Sequence, residues 1–221
     1  MLKYAYIRGV SQRTGMPAID KNLLSKQLSE LTNEDKEILE NAGRKAELKL
    51  YRFKNMGDLP RVQMAMGFLK SVWPESLLDV GSGRGVFLFP FLTEFPFVPV
   101  TSADILPHRV EFLKDIALGG IENLTAVQEN ICTWNAPDKS FDVVTMLEVL
   151  EHIPEVEKAI SNAVRLARRY VVVSVPSKPD NNPEHIHLLT KDKLTDLFTR
   201  AGAKNLHFDG VNGHLFMTAR V

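Results

Sequence analysis

The spacing of apolar positions divides the chain into two unequal parts. In the first sixty residues the apolar side chains recur at helical intervals, with Leu23, Leu24, Leu28 and Leu31 forming one stripe. Thr32 is placed as an N-cap, with Asp35 reaching back to it ahead of Ile38, Leu39, Ala42 and Ala46. A third helical pattern runs through Val62, Met66, Leu69 and Trp73 and stops at Pro74. No strand-like alternation precedes residue 76. A helix with one apolar stripe needs a surface to cover. Residues 1–60 are therefore expected to form a helical extension or lid on a domain spanning 61–221.

From Ser76 onward the texture changes. Short apolar strands are expected from Leu77 to Val80, Val98 to Ala103, Thr125 to Gln128, Val143 to Leu147 and Tyr170 to Val175. Helical segments fall between them, from Val86 to Thr93, Arg109 to Ala117 and Val156 to Ala167. Strands rich in β-branched residues and flanked by helices indicate a parallel sheet covered on both faces. A helix from Lys191 to Ala201 follows, then two strands, Asn205 to Asp209 and His214 to Ala219, joined by a short glycine turn as a hairpin. The expected fold class is α/β: a seven-stranded, mostly parallel sheet with an antiparallel last strand, helices on both faces and a helical N-terminal extension.

Composition narrows the functional classes. The 221 residues are 44% hydrophobic and 24% charged, which fits a globular chain with a sizeable core. Lys+Arg and Asp+Glu both number 27, so there is no basic excess to hold a phosphate backbone, and nucleic acid is disfavoured as a partner. The most apolar run, Val86 to Val100, holds Glu94 and three prolines and falls short of the roughly 20 apolar residues of a membrane span. The first fifteen residues lack the apolar core of a signal peptide. One cysteine, Cys132, supports neither an intrachain disulfide nor a cysteine zinc site, so a reducing, cytoplasmic location without membrane contact is expected.

The chemistry concentrates around Leu77-Leu-Asp-Val-Gly-Ser-Gly-Arg-Gly-Val86. A strand ends at Asp79-Val80, glycines alternate at 81, 83 and 85, and a helix begins. Alternating glycines allow a tight turn and a close approach of backbone to ligand. The spacing is Gly-x-Gly-x-Gly rather than the dinucleotide Gly-x-Gly-x-x-Gly, and no Gly-Lys-Ser/Thr follows, which excludes a P-loop. Asp79, two residues before the first glycine, suits a ligand bearing an ammonium group.

At this point the chain resembles the class I S-adenosylmethionine-dependent methyltransferases, whose first motif is an acid, x, then Gly-x-Gly-x-Gly. Their fold is Rossmann-like. The segment from Ser140 to Pro154, with Phe-Asp-Val-Val and Glu-Val-Leu-Glu-His-Ile-Pro, is similar to the fourth-strand motif of the ubiquinone-biosynthesis type O-methyltransferases. The resemblance covers residues 76–221. It implies S-adenosylmethionine as cofactor, S-adenosylhomocysteine as product, and a small-molecule acceptor methylated at oxygen. The implied cofactor residues are Asp79, Gly81, Ser82, Gly83 and Gly85 in the loop. Asp104 and Ile105 end the second strand, where the acid accepts from the ribose hydroxyls. Asn130 and Ile131 lie near the adenine, Asn standing where the family usually has Asp, and Met146 and Leu147 end the fourth strand.

Methyl transfer to a hydroxyl needs a base in near-attack geometry. His152 is the candidate, with Glu148 and Glu151 beside it. The small-RNA terminal 2′-O-methyltransferases are similar here too: their Glu-x-x-Glu-His and a later His hold a divalent metal, and the matching residues are Glu148, Glu151, His152 and His185. Metal-free relatives carry the same residues, so a metal is the lesser expectation. Tyr51, Arg52 and Phe53 are candidates to meet the ligands, and the loop from Pro176 to Pro183 to shape the acceptor pocket. Two alternatives stand beside small-molecule methylation: a metal-assisted RNA 2′-O-methyltransferase, which the cluster Arg165, Arg168 and Arg169 would have to serve, and a non-catalytic cofactor-binding module.

Overall fold

A computed structural model describes residues 1–53, 57–179 and 181–221. Its centre is one seven-stranded sheet: β1 (Leu77–Val80), β2 (Val100–Asp104), β3 (Leu124–Gln128), β4 (Phe141–Leu147), β5 (Ala167–Pro176), β6 (Asn205–Val211) and β7 (His214–Arg220). The strand order is β3-β2-β1-β4-β5-β7-β6. Strands β1 to β5 pair in parallel, and β7 runs antiparallel to both β5 and β6. The last strand is thus the reversed one, as its hairpin turn requires. The order reverses between β2-β1 and β4, and that switch point opens a crevice at the carboxyl edge.

Alternation along the strands supplies a core on each face. Leu77, Val100, Leu124 and Val143 face α4 (Pro60–Val72), α5 (Leu88–Glu94) and α6 (Pro107–Leu118). Leu78, Ala103, Val144 and Val171 face α7 (Val156–Leu166) and α8 (Lys191–Arg200). The N-terminal helices α1 (Leu2–Thr14), α2 (Lys21–Ser25) and α3 (Asn33–Lys45) add Ala5, Ile7, Leu23 and Leu39 to the first of these cores. Among the described residues no helix is long and apolar enough to cross a membrane.

Three sequence expectations change. The stripe Leu23 to Leu31 is not one helix: α2 stops at Ser25, Lys26 is extended, and a 3-10 turn covers Leu28–Glu30. The buried Arg8 guanidinium donates to the Leu24 and Lys26 carbonyls, which a continuing helix would need for itself. Helix α1, over Leu2–Thr14, is an element that the apolar spacing does not mark. The cluster expected to serve a nucleic acid is divided: Arg168 and Arg169 lie on β5, and both donate to the buried Asp142 carboxylate. Arg165 donates to Asp138 and to the carbonyls of Trp134 and Ala136. These cations are occupied within the fold and do not form a free basic face. The expected Thr32 cap is present as a full capping box with Asp35.

Candidate active site

The strand register builds the site from below. Asp79 on β1 sits opposite Ser102 on β2 and Thr145 on β4, so three polar side chains form one row across adjacent strands. Thr145 Oγ1 donates to Asp79 at 2.7 Å, Ser82 Oγ to the same carboxylate at 2.5 Å, and Ser82 Oγ lies 2.6 Å from Ser102 Oγ. The row therefore ties the glycine loop to the sheet. Burial pushes the Asp79 carboxyl up from 3.8 to about 6; the Asp104 charge adds to this, and the bonds from Ser82 and Thr145 oppose it.

That shift fixes a sign. The fold favours the neutral Asp79 carboxyl, so a stability cost develops as pH rises from 3.8 through about 6 and is complete above it. Asp79→Asn should remove a cost on the order of 2–3 kcal/mol at pH 7.5, because Asn lacks the charge while its Oδ1 accepts from Thr145 and its amide donates to Ser82 Oγ, which turns its own proton to Ser102. A cationic ligand group needs the charge. The same variant should therefore melt higher and bind an ammonium-bearing ligand at least about tenfold more weakly; a scan paired with calorimetry reads both. A variant that binds as tightly as the wild type would remove Asp79 from ligand recognition.

A cavity of about 760 Å³ opens above this row. Its wall takes Asp79, Gly81, Ser82 and Gly83 from the loop, Asp104 and Ile105 from the end of β2, Asn130 and Ile131 after β3, and Leu147, Glu148 and His152 after β4. Asp104 is almost fully buried; one oxygen accepts from Leu106 N–H at 2.9 Å and the other lies 3.5 Å from Arg109. Asn130 Oδ1 accepts from Cys132 N–H at 2.9 Å, closing a turn at the cavity edge. Ile105 is exposed and Ile131 buried, and both add apolar surface to the cavity wall.

Several expected residues, His185 among them, stay out of the wall. Met146 is fully buried in the α7–α8 core, because neighbouring strand residues point to opposite faces. Gly85 is buried against Phe89 and lines a second cavity of about 930 Å³ between α1, α4 and α5. Glu151 is fully buried behind the wall. Its backbone carbonyl accepts from Ile186 N–H at 2.9 Å, and its carboxylate lies with His152 and His185 in a group whose ligand atoms fall within 4.8 Å of one another. Glu148 is not in that group. Its carboxylate accepts from Ser174 Oγ at 2.6 Å and meets His214 Nε2 at 2.9 Å. Phe53 stacks on Phe89, Arg52 lies over the Phe112 ring, and neither they nor Tyr51 line the first cavity. Residue 180 lies outside the described residues; Glu184, just past that loop, does reach the wall.

Sequence reading missed three cations. Arg61, in the first turn of α4, Arg84 in the glycine loop and Arg109 all line the cavity. The Arg61 side chain has no hydrogen bond or ion pair among the described residues, and a cation near a helix N-terminus is disfavoured by the dipole.

A family model for the methyltransferase domain matches residues 38–208. The chain belongs to the class I S-adenosylmethionine-dependent methyltransferase family. Among curated relatives, malonyl-[acyl-carrier protein] O-methyltransferase 1 of Ilyobacter polytropus is 35% identical over 69 residues, 31% of this chain and 25% of that protein. The ubiquinone biosynthesis O-methyltransferase of Rickettsia akari is 32% identical over 89 residues, 40% of this chain and 34% of that one. The chain thus matches about a third or less of the length of these relatives. The solved 1,6-didemethyltoxoflavin-N1-methyltransferase of Burkholderia thailandensis, with 1,6-didemethyltoxoflavin and S-adenosylhomocysteine bound, aligns at TM-score 0.60 and 20% identity. That alignment covers 83% of this chain and 85% of the other and shows a shared methyltransferase fold.

Proposed function

We propose that this methyltransferase-family chain transfers the methyl group of S-adenosylmethionine to a hydroxyl of a small molecule, leaving S-adenosylhomocysteine. The observation that carries the reading is the convergence of Gly83, Asp104 and His152 on one cavity at the switch point of the sheet. The residues fit the cofactor: Gly83 leaves open space where any side chain would stand, and Asp104 is a buried carboxylate at the rim. When bound, S-adenosylmethionine supplies a methyl carbon on a sulfonium that leaves as a neutral thioether.

The remaining work falls to the chain. Asp104 accepts from the ribose hydroxyls, and Ile105 and Ile131 enclose the adenine. Arg61 meets the carboxylate of the amino-acid end, and Asp79 its ammonium. His152 Nδ1 lies 2.9 Å from the Glu184 carbonyl, so in the neutral ring Nδ1 carries the proton and Nε2 is left basic. His152 then takes the acceptor's hydroxyl proton at Nε2 while the side walls hold the oxygen in line. Residues 1–60 act as an extension that packs into the core beside α4, α5 and α6, adding no described residue to the cavity wall, rather than as an independent unit.

Calorimetry with S-adenosylhomocysteine tests the cofactor assignment, and a screen of small hydroxylated acceptors with methyl-labelled cofactor tests turnover. His152→Ala should lower kcat on the acceptor so found by about 100-fold or more with cofactor affinity unchanged. An unchanged kcat would strike His152 from the mechanism, and binding with no turnover on any acceptor would favour a non-catalytic module.

The group of Glu151, His152 and His185 supports a second reading, in which these residues hold a divalent cation such as Mn²⁺ that lowers the pKa of a bound hydroxyl. It assigns His152 to the metal instead of the proton. Titration with Mn²⁺ followed by electron paramagnetic resonance separates the two, since only the metal reading predicts uptake that His185→Ala abolishes.

A further inference from the structure

Glu148 follows β4 directly and takes a left-handed backbone, φ 58°, which L side chains rarely adopt. Two neighbouring strands fix it there. Its N–H donates to the Ser174 carbonyl at 2.9 Å, the fully buried Ser174 Oγ donates to Oε1 at 2.6 Å, and His214 Nε2 donates to Oε2 at 2.9 Å. Ser174 pairs with Leu147 across β4–β5, and His214 pairs with Pro176 across β5–β7. The three groups therefore form a row along the carboxyl edge of the sheet. Glu148 alone reaches the cavity wall, with Ser174 and His214 standing behind it. His214 Nδ1 in turn faces the Asn212 carbonyl at 3.2 Å, so the ring is held between two oxygens.

A carboxylate gripped by two donors is held in one place beside whatever occupies the cavity. Resting on the methyltransferase reading above, the sulfonium is the positive charge in this cavity that methyl transfer removes. We infer that Glu148, held by Ser174 and His214, is the residue that distinguishes the charged methyl donor from its neutral product. Ser174 and His214 are positioning residues for that carboxylate. The attraction fades as the sulfonium discharges, so it favours donor binding and product exchange and opposes rather than assists the chemical step.

The test needs no methyl acceptor. Calorimetry compares S-adenosylmethionine, sinefungin (an ammonium-bearing analogue) and neutral S-adenosylhomocysteine on the wild type and Glu148→Gln. Gln preserves the shape: its Oε1 accepts from Ser174, and its amide donates to the other tautomer of His214. The variant should bind both cationic ligands about tenfold more weakly, as expected for one charge pair in a partly solvated site, and the neutral product within about twofold of wild type. Should Glu148→Gln fail to fold, Ser174→Ala, which loosens the carboxylate, should lower the same affinity ratio by about threefold. An unchanged ratio overturns the inference, and so does equal loss for all three ligands, which would mark a structural role. A wild type that binds none of the three overturns the parent reading; one that binds all three with a ratio indifferent to Glu148 overturns this assignment alone.

Discussion

Gly83→Val is expected to abolish uptake of S-adenosylhomocysteine, with affinity falling more than about 100-fold, on the order of 3 kcal/mol, in a protein that still folds. The three loop glycines all have positive φ but differ in what surrounds them. A Cβ at Gly81 would meet Val149 Cγ2 at 2.8 Å, and one at Gly85 would meet the Phe89 ring at 2.4 Å. Both glycines are needed by the protein's own packing. A Cβ at Gly83 meets only the Gly81 carbonyl oxygen, at 3.8 Å, and stands in the cavity. Valine there fills ligand space, and the left-handed backbone adds about 1–2 kcal/mol of strain. Calorimetry should therefore show lost binding while circular dichroism shows a folded chain with a modestly lower melting point. Wild-type affinity in Gly83→Val would mean that the loop cradles no ligand.

The contrast among the glycines shows where sequence reading ends. Gly-x-Gly-x-Gly after Asp79 marked the loop, but only the side chains packed behind it separate the glycine kept for a ligand from those kept for Val149 and Phe89. Strand periodicity marked β1, β2, β4 and β5 well, because a doubly covered parallel sheet writes continuous apolar runs. It did not mark the row Asp79–Ser102–Thr145, since that row depends on register between strands distant in sequence. Asp104 was legible as an acid closing a strand, and His152 as part of a dense motif. His214 and Ser174 were not, because each reaches Glu148 only through the pairing of β5 with β4 and β7. Arg61 was hidden for a different reason: a cation on a helix usually reads as a solvated surface.

Helix α1 was invisible for a reason that sets the second large expectation. Its sequence, Leu-Lys-Tyr-Ala-Tyr-Ile-Arg-Gly-Val-Ser-Gln-Arg-Thr, lacks one clean apolar stripe, because close backbone contact holds it as much as apolar side chains do. A Cβ at Gly9 would lie 1.7 Å from the Asp115 carbonyl oxygen of α6, and a Cβ at Gly119 would lie 1.7 Å from the Ala5 carbonyl oxygen of α1. The two helices therefore touch backbone to backbone at two reciprocal points. Arg13 reinforces the contact with two bonds to the buried Asp115 carboxylate, at 2.6 and 2.9 Å. Alanine is the better helix former by about 1 kcal/mol, yet Gly9→Ala should destabilise the protein by about 3 kcal/mol net, because the methyl must drive the helices apart and unpack Ile7 and Phe112. For a chain of this size that lowers the melting temperature by roughly 6–12 °C, and Gly119→Ala should do the same from the other side. The strain enters α6 at its far end, turns away from Asp104 and Arg109, so cofactor affinity in the folded fraction should change by less than about threefold. A Gly9→Ala protein that melts with the wild type would refute the backbone contact, and one that stays stable but loses the cofactor would tie α1 to the cavity by a route that the packing of α1 on α6 does not contain.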